Sequence, residues 1–192
     1  MMTEQMSVKI AALPSLRLTV EAHGLMAKKA LGQNFLLDQN ITDKIINLSL
    51  QKQNKKDFSG ANVFEVGPGP GGLTRAVLAA EPKSLTVVEM DERCIAIMNE
   101  IKEKTGDIIH IINGDAMQTD FSVLAPAPRH IISNLPYNIS VPLLVGWLKN
   151  INAYDSLTLM FQKEVAERIT APIKTKDYGR ISVLSQLQCR WS

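Results

Sequence analysis

The tetrapeptide Asn134-Leu135-Pro136-Tyr137 carries the groups needed to hold a flat base with an exocyclic amine. The side-chain oxygen of Asn134 and the backbone carbonyl of Leu135 can each accept a hydrogen bond from one N–H of that amine. Such an amine is a poor nucleophile because its lone pair is delocalised into the ring, and two fixed acceptors would aim that pair at an electrophile. Pro136 fixes the bend, and the Tyr137 ring can stack on a base that has left its helix. Asn and Pro are also ordinary turn residues, so the tetrapeptide alone does not identify the chemistry.

A glycine-rich turn over residues 65–72 supplies the second half of a site. Gly67, Gly69 and Gly72 match the spacing Gly-x-Gly-x-x-Gly, which suits several nucleoside cofactors. Glycines at these positions let the backbone bend sharply and approach a ligand closely. Glu89 ends the next predicted strand, where a carboxylate can accept both hydroxyls of a ribose. Nicotinamide and adenosyl cofactors would both use such a turn and such a carboxylate.

Three features favour S-adenosylmethionine over a dinucleotide. Pro68 and Pro70 remove amide donors that a pyrophosphate would need. Glu65 adds negative charge near the turn, which repels phosphate and suits a sulfonium and an ammonium. Asp115, followed by Ala116 after the third predicted strand, could accept a hydrogen bond from the adenine amine of the cofactor. The ordered set therefore predicts methyl transfer to adenine and disfavours a nicotinamide-dependent dehydrogenase.

The elements that must position these residues alternate between strands and helices. Strands are predicted at residues 62–66, 84–89, 107–112, 130–133 and 156–161. Helices are predicted at residues 15–23, with Ser15 as N-cap and Gly24 as C-cap, and at 38–50, 73–80, 92–104, 141–148, 163–170 and 179–188. This alternation is typical of an α/β fold in which helices cover both faces of a parallel sheet. Ligands bind such sheets at the carboxyl ends of the strands, where every residue named above falls.

The composition of the 192 residues is that of a soluble globular protein, with 45% apolar and 21% charged residues. No apolar run approaches the roughly 18 residues of a membrane span. The net charge of +2 restricts any nucleic-acid contact to a local basic patch. Cys94 and Cys189 are far apart and the three histidines are scattered, so neither a disulfide framework nor a metal site is predicted. A reducing cytosol fits, while an organellar presequence in residues 1–26 stays open.

Seven segments together resemble the ribosomal RNA adenine dimethyltransferases, most closely the type that acts on the small subunit. The segments are residues 29–36, 65–73, 89, 114–116, 134–140, 161–165 and 178–182. The resemblance implies a Rossmann-like methyltransferase fold, S-adenosylmethionine as cofactor, and N6,N6-dimethylation of two adjacent adenosines in small-subunit ribosomal RNA. It further implies a monomer in the cytoplasm that acts on an assembling small ribosomal subunit, with no membrane partner.

The resemblance also assigns residues to roles. The predicted cofactor contacts are Gln33, Asn34, Leu36, Glu65, Gly67, Gly69, Glu89, Met90, Asp115, Ala116 and Asn134. Phe35 would help Gln33 to cover the cofactor. Asn134, Leu135, Pro136 and Tyr137 would hold the target amine and base, and Phe161 would form a second wall of that pocket.

The domain organisation follows from the same resemblance. Residues 1–26 are predicted to be an N-terminal extension with a short helix, and residues 27–192 a methyltransferase catalytic domain. Members of the family continue into further strands and a small helical C-terminal domain, so a C-terminally truncated chain is expected. The remaining RNA-binding surface would consist of Lys28, Lys29, Lys163, Arg168, Lys174, Lys176 and Arg180.

Two alternatives to this function remain open at the level of the sequence. A large-subunit adenine methylase of the resistance type would use the same chemistry on a different RNA. A non-catalytic RNA-binding assembly factor, or a transcription factor, on the same fold would bind without transferring a methyl group. Asn134, Tyr137 and Glu89 are all present, which favours an enzyme.

Overall fold

A computed structural model describes residues 2–25 and 35–189. The helices are α1 (Met2–Ala11), α2 (Leu16–Ala22), α3 (Gln39–Lys52), α4 (Gly72–Ala79), α5 (Glu92–Thr105), α6 (Ser140–Lys149), α7 (Lys163–Ile169) and α8 (Arg180–Gln188). The strands are β1 (Asn62–Val66), β2 (Ser84–Glu89), β3 (Ile109–Asn113), β4 (Arg129–Asn134) and β5 (Ser156–Met160). Short 3₁₀ helices occupy Ala116–Gln118 and Ile151–Ala153.

The five strands form one parallel sheet in the order β3-β2-β1-β4-β5. The chain builds the sheet outward from β1 through β2 to β3, and then returns to the other side of β1 with β4 and β5. The strand order therefore reverses between β1 and β4. In open α/β sheets this is the place where a crevice forms at the carboxyl ends of the strands.

Side chains that alternate along the strands pack into two apolar layers. Val63 and Leu85 face the first apolar cluster, which is formed with α2 to α5. Phe64 and Val88 face the second apolar cluster, which includes α6. The helices α7 and α8 pack beside α6 on the second face. All five side chains of β1 are buried, as expected for a central parallel strand that is covered on both faces. The predicted α/β class with helices on both faces is confirmed.

The predicted boundaries agree with the structure to within two residues, and β1 and β2 agree at both ends. Helix α2 is one residue shorter than predicted at each end, because Ser15 is its N-cap and His23, rather than Gly24, is its C-cap. β5 ends at Met160, so Phe161 follows the strand instead of ending it. Asp38 caps α3 through a hydrogen bond from the Asn40 amide and lies outside the helix.

The N-terminal residues contain a helix that the sequence analysis missed. α1 packs against α4 and α5, and its Ile10 contacts the first apolar cluster. The segment after α1 is held against α4 by the guanidinium of Arg75, which donates hydrogen bonds to the Pro14 carbonyl at 2.6 Å and to Thr19 Oγ1 at 3.4 Å. Tertiary packing of this kind stabilises short helices more than local propensity does, which is why the sequence pattern did not reveal α1.

No helix within residues 2–25 and 35–189 combines the length and the apolar character needed to cross a lipid bilayer.

Phe121 offers a test of the second apolar cluster. Its ring is 1% exposed and meets the rings of Phe64 and Trp147 edge to face, with centroid distances of 5.7 and 5.8 Å. Replacing Phe121 with Ala should lower the free energy of unfolding by about 3–5 kcal/mol, because a buried aromatic side chain is lost and a cavity remains. Urea denaturation measures the effect. Val123→Ala is the control, since Val123 is 75% exposed, and equal losses in the two variants would contradict the packing described here.

Candidate active site

The glycine-rich turn bends against two other segments of the chain. Gly67 and Gly69 have φ angles of +63° and +55°, which side-chain-bearing residues rarely adopt. A Cβ atom at Gly67 would lie 3.2 Å from Cγ of Pro136, and one at Gly69 would lie 2.8 Å from Cε1 of Phe35. The turn is therefore in contact with the tetrapeptide on one side and with the Phe35 ring on another.

Phe35 and Leu36, which precede α3, lie against the turn. The carbonyl oxygen of Leu36 passes so close to Gly72 that a side chain at that position would collide with it. Leu16 of α2 lies against the same glycine, 3.3 Å from the position of a Cβ. The structure thus places Leu36 against the glycine-rich turn, while its contact with a cofactor stays a prediction. Gln33, Asn34, Lys28 and Lys29 lie outside the described residues.

Glu65 is buried beneath the turn and differs from the sequence-based expectation. Its side chain is 2% exposed and accepts a hydrogen bond from Thr74 Oγ1 at 2.7 Å. The pKa of Glu65 is raised to about 8, chiefly by burial; the hydrogen bond from Thr74 opposes this rise, and the nearby charge of Glu89 adds to it. The carboxyl group is therefore mostly protonated at neutral pH. Glu65 is therefore not the fixed negative charge that the sequence predicted.

Glu89 stands at the carboxyl end of β2 with its side chain held in place. Its Oε1 atom accepts hydrogen bonds from the amides of Met90 at 2.8 Å and of Asp91 at 2.9 Å. This arrangement orients Oε2, the oxygen that would accept ribose hydroxyls. The Met90 side chain beside it is 66% exposed.

Asp115 lies two residues after the end of β3. Its Oδ1 atom caps a short 3₁₀ helix by accepting from the Met117 amide at 2.8 Å, and Ala116 is buried in the second apolar cluster. The Gly114 amide donates to the Glu89 carbonyl at 3.0 Å, which ties the ends of β2 and β3 together. The two carboxylates consequently lie at neighbouring strand ends, as the sequence predicted.

The tetrapeptide begins at the last residue of β4. Leu135 is 2% exposed and its side chain belongs to the second apolar cluster, so the backbone of the loop is anchored in the core. The Ile139 amide donates to the Pro136 carbonyl at 3.2 Å, and the Ser140 hydroxyl donates to the Tyr137 carbonyl at 3.1 Å. These bonds stabilise the turn between the tetrapeptide and the start of α6. Asn134 and Tyr137 are both half-buried at the sheet edge.

Phe161 directly follows β5, the strand that pairs with β4. Asn134 is paired with Met160 across β4 and β5, and Phe161 is the next residue along the chain. Its ring is half-buried against both the second apolar cluster and the cluster between α6 and α8. The sheet therefore collects Gly67, Glu89, Asp115, Asn134 and Phe161 at one edge, while their roles as ligands stay predictions.

Two hydroxyl groups that the sequence analysis did not single out belong to this edge. Thr74 on the first turns of α4 bonds Glu65, and Ser133 on β4 bonds the backbone of Val66 on β1. Neither residue stands out from the chain by its type. Thr74 could have been identified only from the structure, which places the first turn of α4 next to the buried carboxyl group of Glu65.

The raised pKa of Glu65 predicts a pH-dependent stability. In the unfolded chain this carboxyl ionises near its ordinary pKa of 4.5, but in the folded protein it keeps its proton up to about 8. The free energy of unfolding contributed by Glu65 is therefore present below the lower value and is lost as pH rises through the higher one. Glu65→Gln has no such proton, so its stability relative to wild type should rise between about pH 5 and about pH 8.

Urea denaturation of both proteins across this pH range checks the prediction. Glu103→Gln is the control, since Glu103 is exposed on α5. A Glu65→Gln variant whose stability follows the pH dependence of wild type would show that the carboxyl group is ionised in the folded protein.

Comparison with known proteins agrees with this geometry. A family model described as ribosomal RNA adenine dimethylase matches residues 24–192. The ribosomal RNA small subunit methyltransferase A of Gluconobacter oxydans is 51% identical over 175 residues, which cover 91% of this chain and 56% of the relative. The protein of the same name from Paramagnetospirillum magneticum is 47% identical over 180 residues, covering 94% and 62%. The chain thus spans about six-tenths of the length of these relatives.

Two solved structures share the fold. A dimethyladenosine transferase from Plasmodium falciparum superposes with a TM-score of 0.66 at 30% identity, over 78% of this chain and 51% of that one. The 23S rRNA methyltransferase ErmE superposes with a TM-score of 0.58 at 27% identity, over 79% and 55%. The fold and the family expected from the sequence are both confirmed: the chain belongs to the ribosomal RNA adenine dimethylase family.

Proposed function

We propose that this chain carries the catalytic core of an S-adenosylmethionine-dependent enzyme that dimethylates the N6 nitrogens of two adjacent adenosines in small-subunit ribosomal RNA. The observation that carries the proposal is the contact between Gly67 and Pro136, because it joins a turn suited to a nucleoside to a tetrapeptide suited to an aromatic amine. The choice of RNA is supported by the relatives named ribosomal RNA small subunit methyltransferase A.

The residues at the strand ends fit an adenosyl cofactor. The cofactor supplies a methyl group on a positively charged sulfur. Oε2 of Glu89 would accept the ribose hydroxyls, and the free side of the Asp115 carboxylate would accept the adenine amine. The backbone of Gly67 and Gly69 would lie along the methionine part, with Leu36 and Phe35 closing the turn from outside. Asn34 and Gln33 would complete the contacts on that side.

The tetrapeptide would present the acceptor amine. Asn134 and the Leu135 carbonyl would each hold one N–H, which leaves the nitrogen lone pair facing the turn. Burial of the Leu135 side chain fixes the position of its carbonyl. Tyr137 and Phe161 would flank the flipped base, and stacking on an aromatic ring contributes about 1–3 kcal/mol per base. The nitrogen would gain the methyl group as the bond between that group and the sulfur breaks, and it would then lose a proton to water, because a methylated adenine ammonium is strongly acidic. The remaining N–H allows a second round.

A groove beside the tetrapeptide supports binding of RNA. α6 starts three residues after Tyr137. The groove has a volume of about 430 Å³ and is lined by Val141 and Val145 of α6 together with residues of α7 and α8. Arg168 and Arg180 line this groove, and both are exposed. We propose that phosphates of the RNA contact these two arginines while the target base enters the site. Lys163, Lys174 and Lys176 are exposed on the same segment and would extend the basic surface.

The proposal extends to the cellular context. The target adenosines must leave their stack to reach Asn134, and this costs least where the RNA is not yet packed into a finished particle. We therefore propose a small subunit that is still being assembled as the substrate, and a monomer that works in the cytoplasm as the enzyme.

Methyl transfer tests the proposed function. The full-length protein should move labelled methyl groups from S-adenosylmethionine to immature small subunits, and nucleoside analysis should show N6,N6-dimethyladenosine. Asn134→Ala should lower the rate about 100-fold or more, as loss of one fixed hydrogen-bond partner of a reacting group does elsewhere. Asn150→Ala is the control, since Asn150 is exposed beyond α6.

Two results would contradict the proposal. Label that enters isolated large subunits and spares small subunits would favour the large-subunit methylase of the resistance type; the 23S rRNA methyltransferase ErmE shares this fold. Full activity of Asn134→Ala would show that the Asn134 side chain does not hold the target amine during methyl transfer.

The salt dependence of RNA binding tests the groove. For single-stranded RNA, each phosphate contact contributes about 0.7 to the slope of log affinity against log salt. Replacing both Arg168 and Arg180 with Ala should therefore reduce the slope by about 1.4 and leave S-adenosylmethionine binding unchanged. The control is Arg17→Ala, because Arg17 is 87% exposed on α2, which covers the opposite face of the sheet. An unchanged slope in the double variant would exclude the groove from the RNA path.

A further inference from the structure

β1 and β4 separate before either strand ends. Their paired residues run from Asn62 and Arg129 to Phe64 and Ile131, whereas β1 continues to Val66 and β4 to Asn134. The two strands lead directly into the glycine-rich turn and the tetrapeptide. The width of the gap at this point therefore determines how far apart the two halves of the site lie.

The Ser133 hydroxyl bridges this gap. Ser133 is fully buried on β4, and its Oγ atom donates to the Val66 carbonyl at 2.7 Å. The Val66 amide donates to the same oxygen at 3.3 Å. One side chain thus satisfies both backbone groups of Val66 where the ladder between the strands has ended. Without it, a buried N–H and a buried C=O of the central strand would lose their partner.

Ser133 and Val66 are each adjacent to a residue that is proposed to hold the cofactor or the target amine. Val66 precedes Gly67, and Ser133 precedes Asn134. The contact of Pro136 with Gly67 is a second point at which the two halves meet. The hydroxyl of Ser133 and the ring of Pro136 therefore fix both the spacing and the tilt of the tetrapeptide relative to the turn.

We infer that Ser133 is a positioning residue that sets the distance between the methyl donor and the acceptor nitrogen. The inference rests on the proposed methyl transfer, and Ser133 itself would touch neither the cofactor nor the base. Transfer rates depend steeply on such distances, because a displacement of about 1 Å can cost about 100-fold in rate. The second methylation should be the more sensitive one, since an amine that carries one methyl group has a single N–H left to orient it.

Kinetics of Ser133→Ala in the full-length protein test the inference. The turnover rate should fall about 10- to 100-fold, with the dissociation constants for S-adenosylmethionine and for RNA within about twofold of wild type. The share of monomethyladenosine in the product should rise. A substitution that only weakened the fold would reduce activity without changing the product ratio.

Two further variants complete the experiment. Ser133→Cys keeps a weak donor and acceptor of similar size, so its turnover rate should lie between those of wild type and Ser133→Ala, and it carries the test if the Ala variant fails to fold. Ser49→Ala is the matched control: Ser49 is also buried and its hydroxyl also bonds a neighbouring strand, at Thr158 Oγ1 of β5, but away from the strand ends. It should keep the wild-type turnover rate and product ratio.

The outcomes separate this inference from the proposed function. Wild-type protein that transfers no methyl group would defeat the proposed function itself. Active wild type, together with a Ser133→Ala variant of unchanged rate and product ratio, would overturn only the role of Ser133. A loss of rate that is matched by a loss of cofactor affinity would also overturn it, because a spacing defect acts after binding.

Discussion

The close approach of Pro136 to Gly67 is the contact on which the arrangement of the site depends. Strand order reverses between β1 and β4, so the chain leaves these strands in opposite directions and opens a crevice. A side chain at residue 67 would widen that crevice, and its φ angle of +63° would be strained as well. Glycine at this position therefore serves the shape of the turn and the spacing of the two loops together. Since both loops start from neighbouring strands of one sheet, the sheet itself fixes where the turn lies relative to the tetrapeptide.

Burial gives the carboxyl groups near this crevice different properties. Glu65 lies under the turn, where it is shielded from water and retains its proton near neutral pH. Glu89 lies at the edge, where two backbone amides stabilise its orientation as an acceptor. A cation placed near both groups would favour the ionised form of Glu65 and offset the cost of its burial. The preference for a positively charged cofactor therefore survives the correction to Glu65, but it arises from a carboxyl group that can become charged and not from one that always is.

The sequence predicted those parts of the structure that depend on local pattern. The bounds of β1 and β2 follow from short apolar runs that end at Val66 and Glu89, and the tetrapeptide is recognisable from its residue types alone. Features that depend on contacts between distant segments could not be read in this way. The protonation of Glu65 results from its enclosure by α4, and α1 is stabilised by its packing on α4 and α5. Ser133 is one of several polar residues in β4, and its bond to Val66 requires a partner 67 residues away.

Positioning accounts for the proposed chemistry better than acid–base catalysis does. An adenine amine requires no base before attack, and the residues proposed to hold it are an amide, a backbone carbonyl and aromatic rings. The rate would then depend on distances fixed by the sheet, and these distances are fixed by buried groups such as the Leu135 side chain and the Ser133 hydroxyl. In such an enzyme, core residues next to the strand ends also contribute to the rate, because they fix the position of the adjacent residues that would hold the reacting nitrogen.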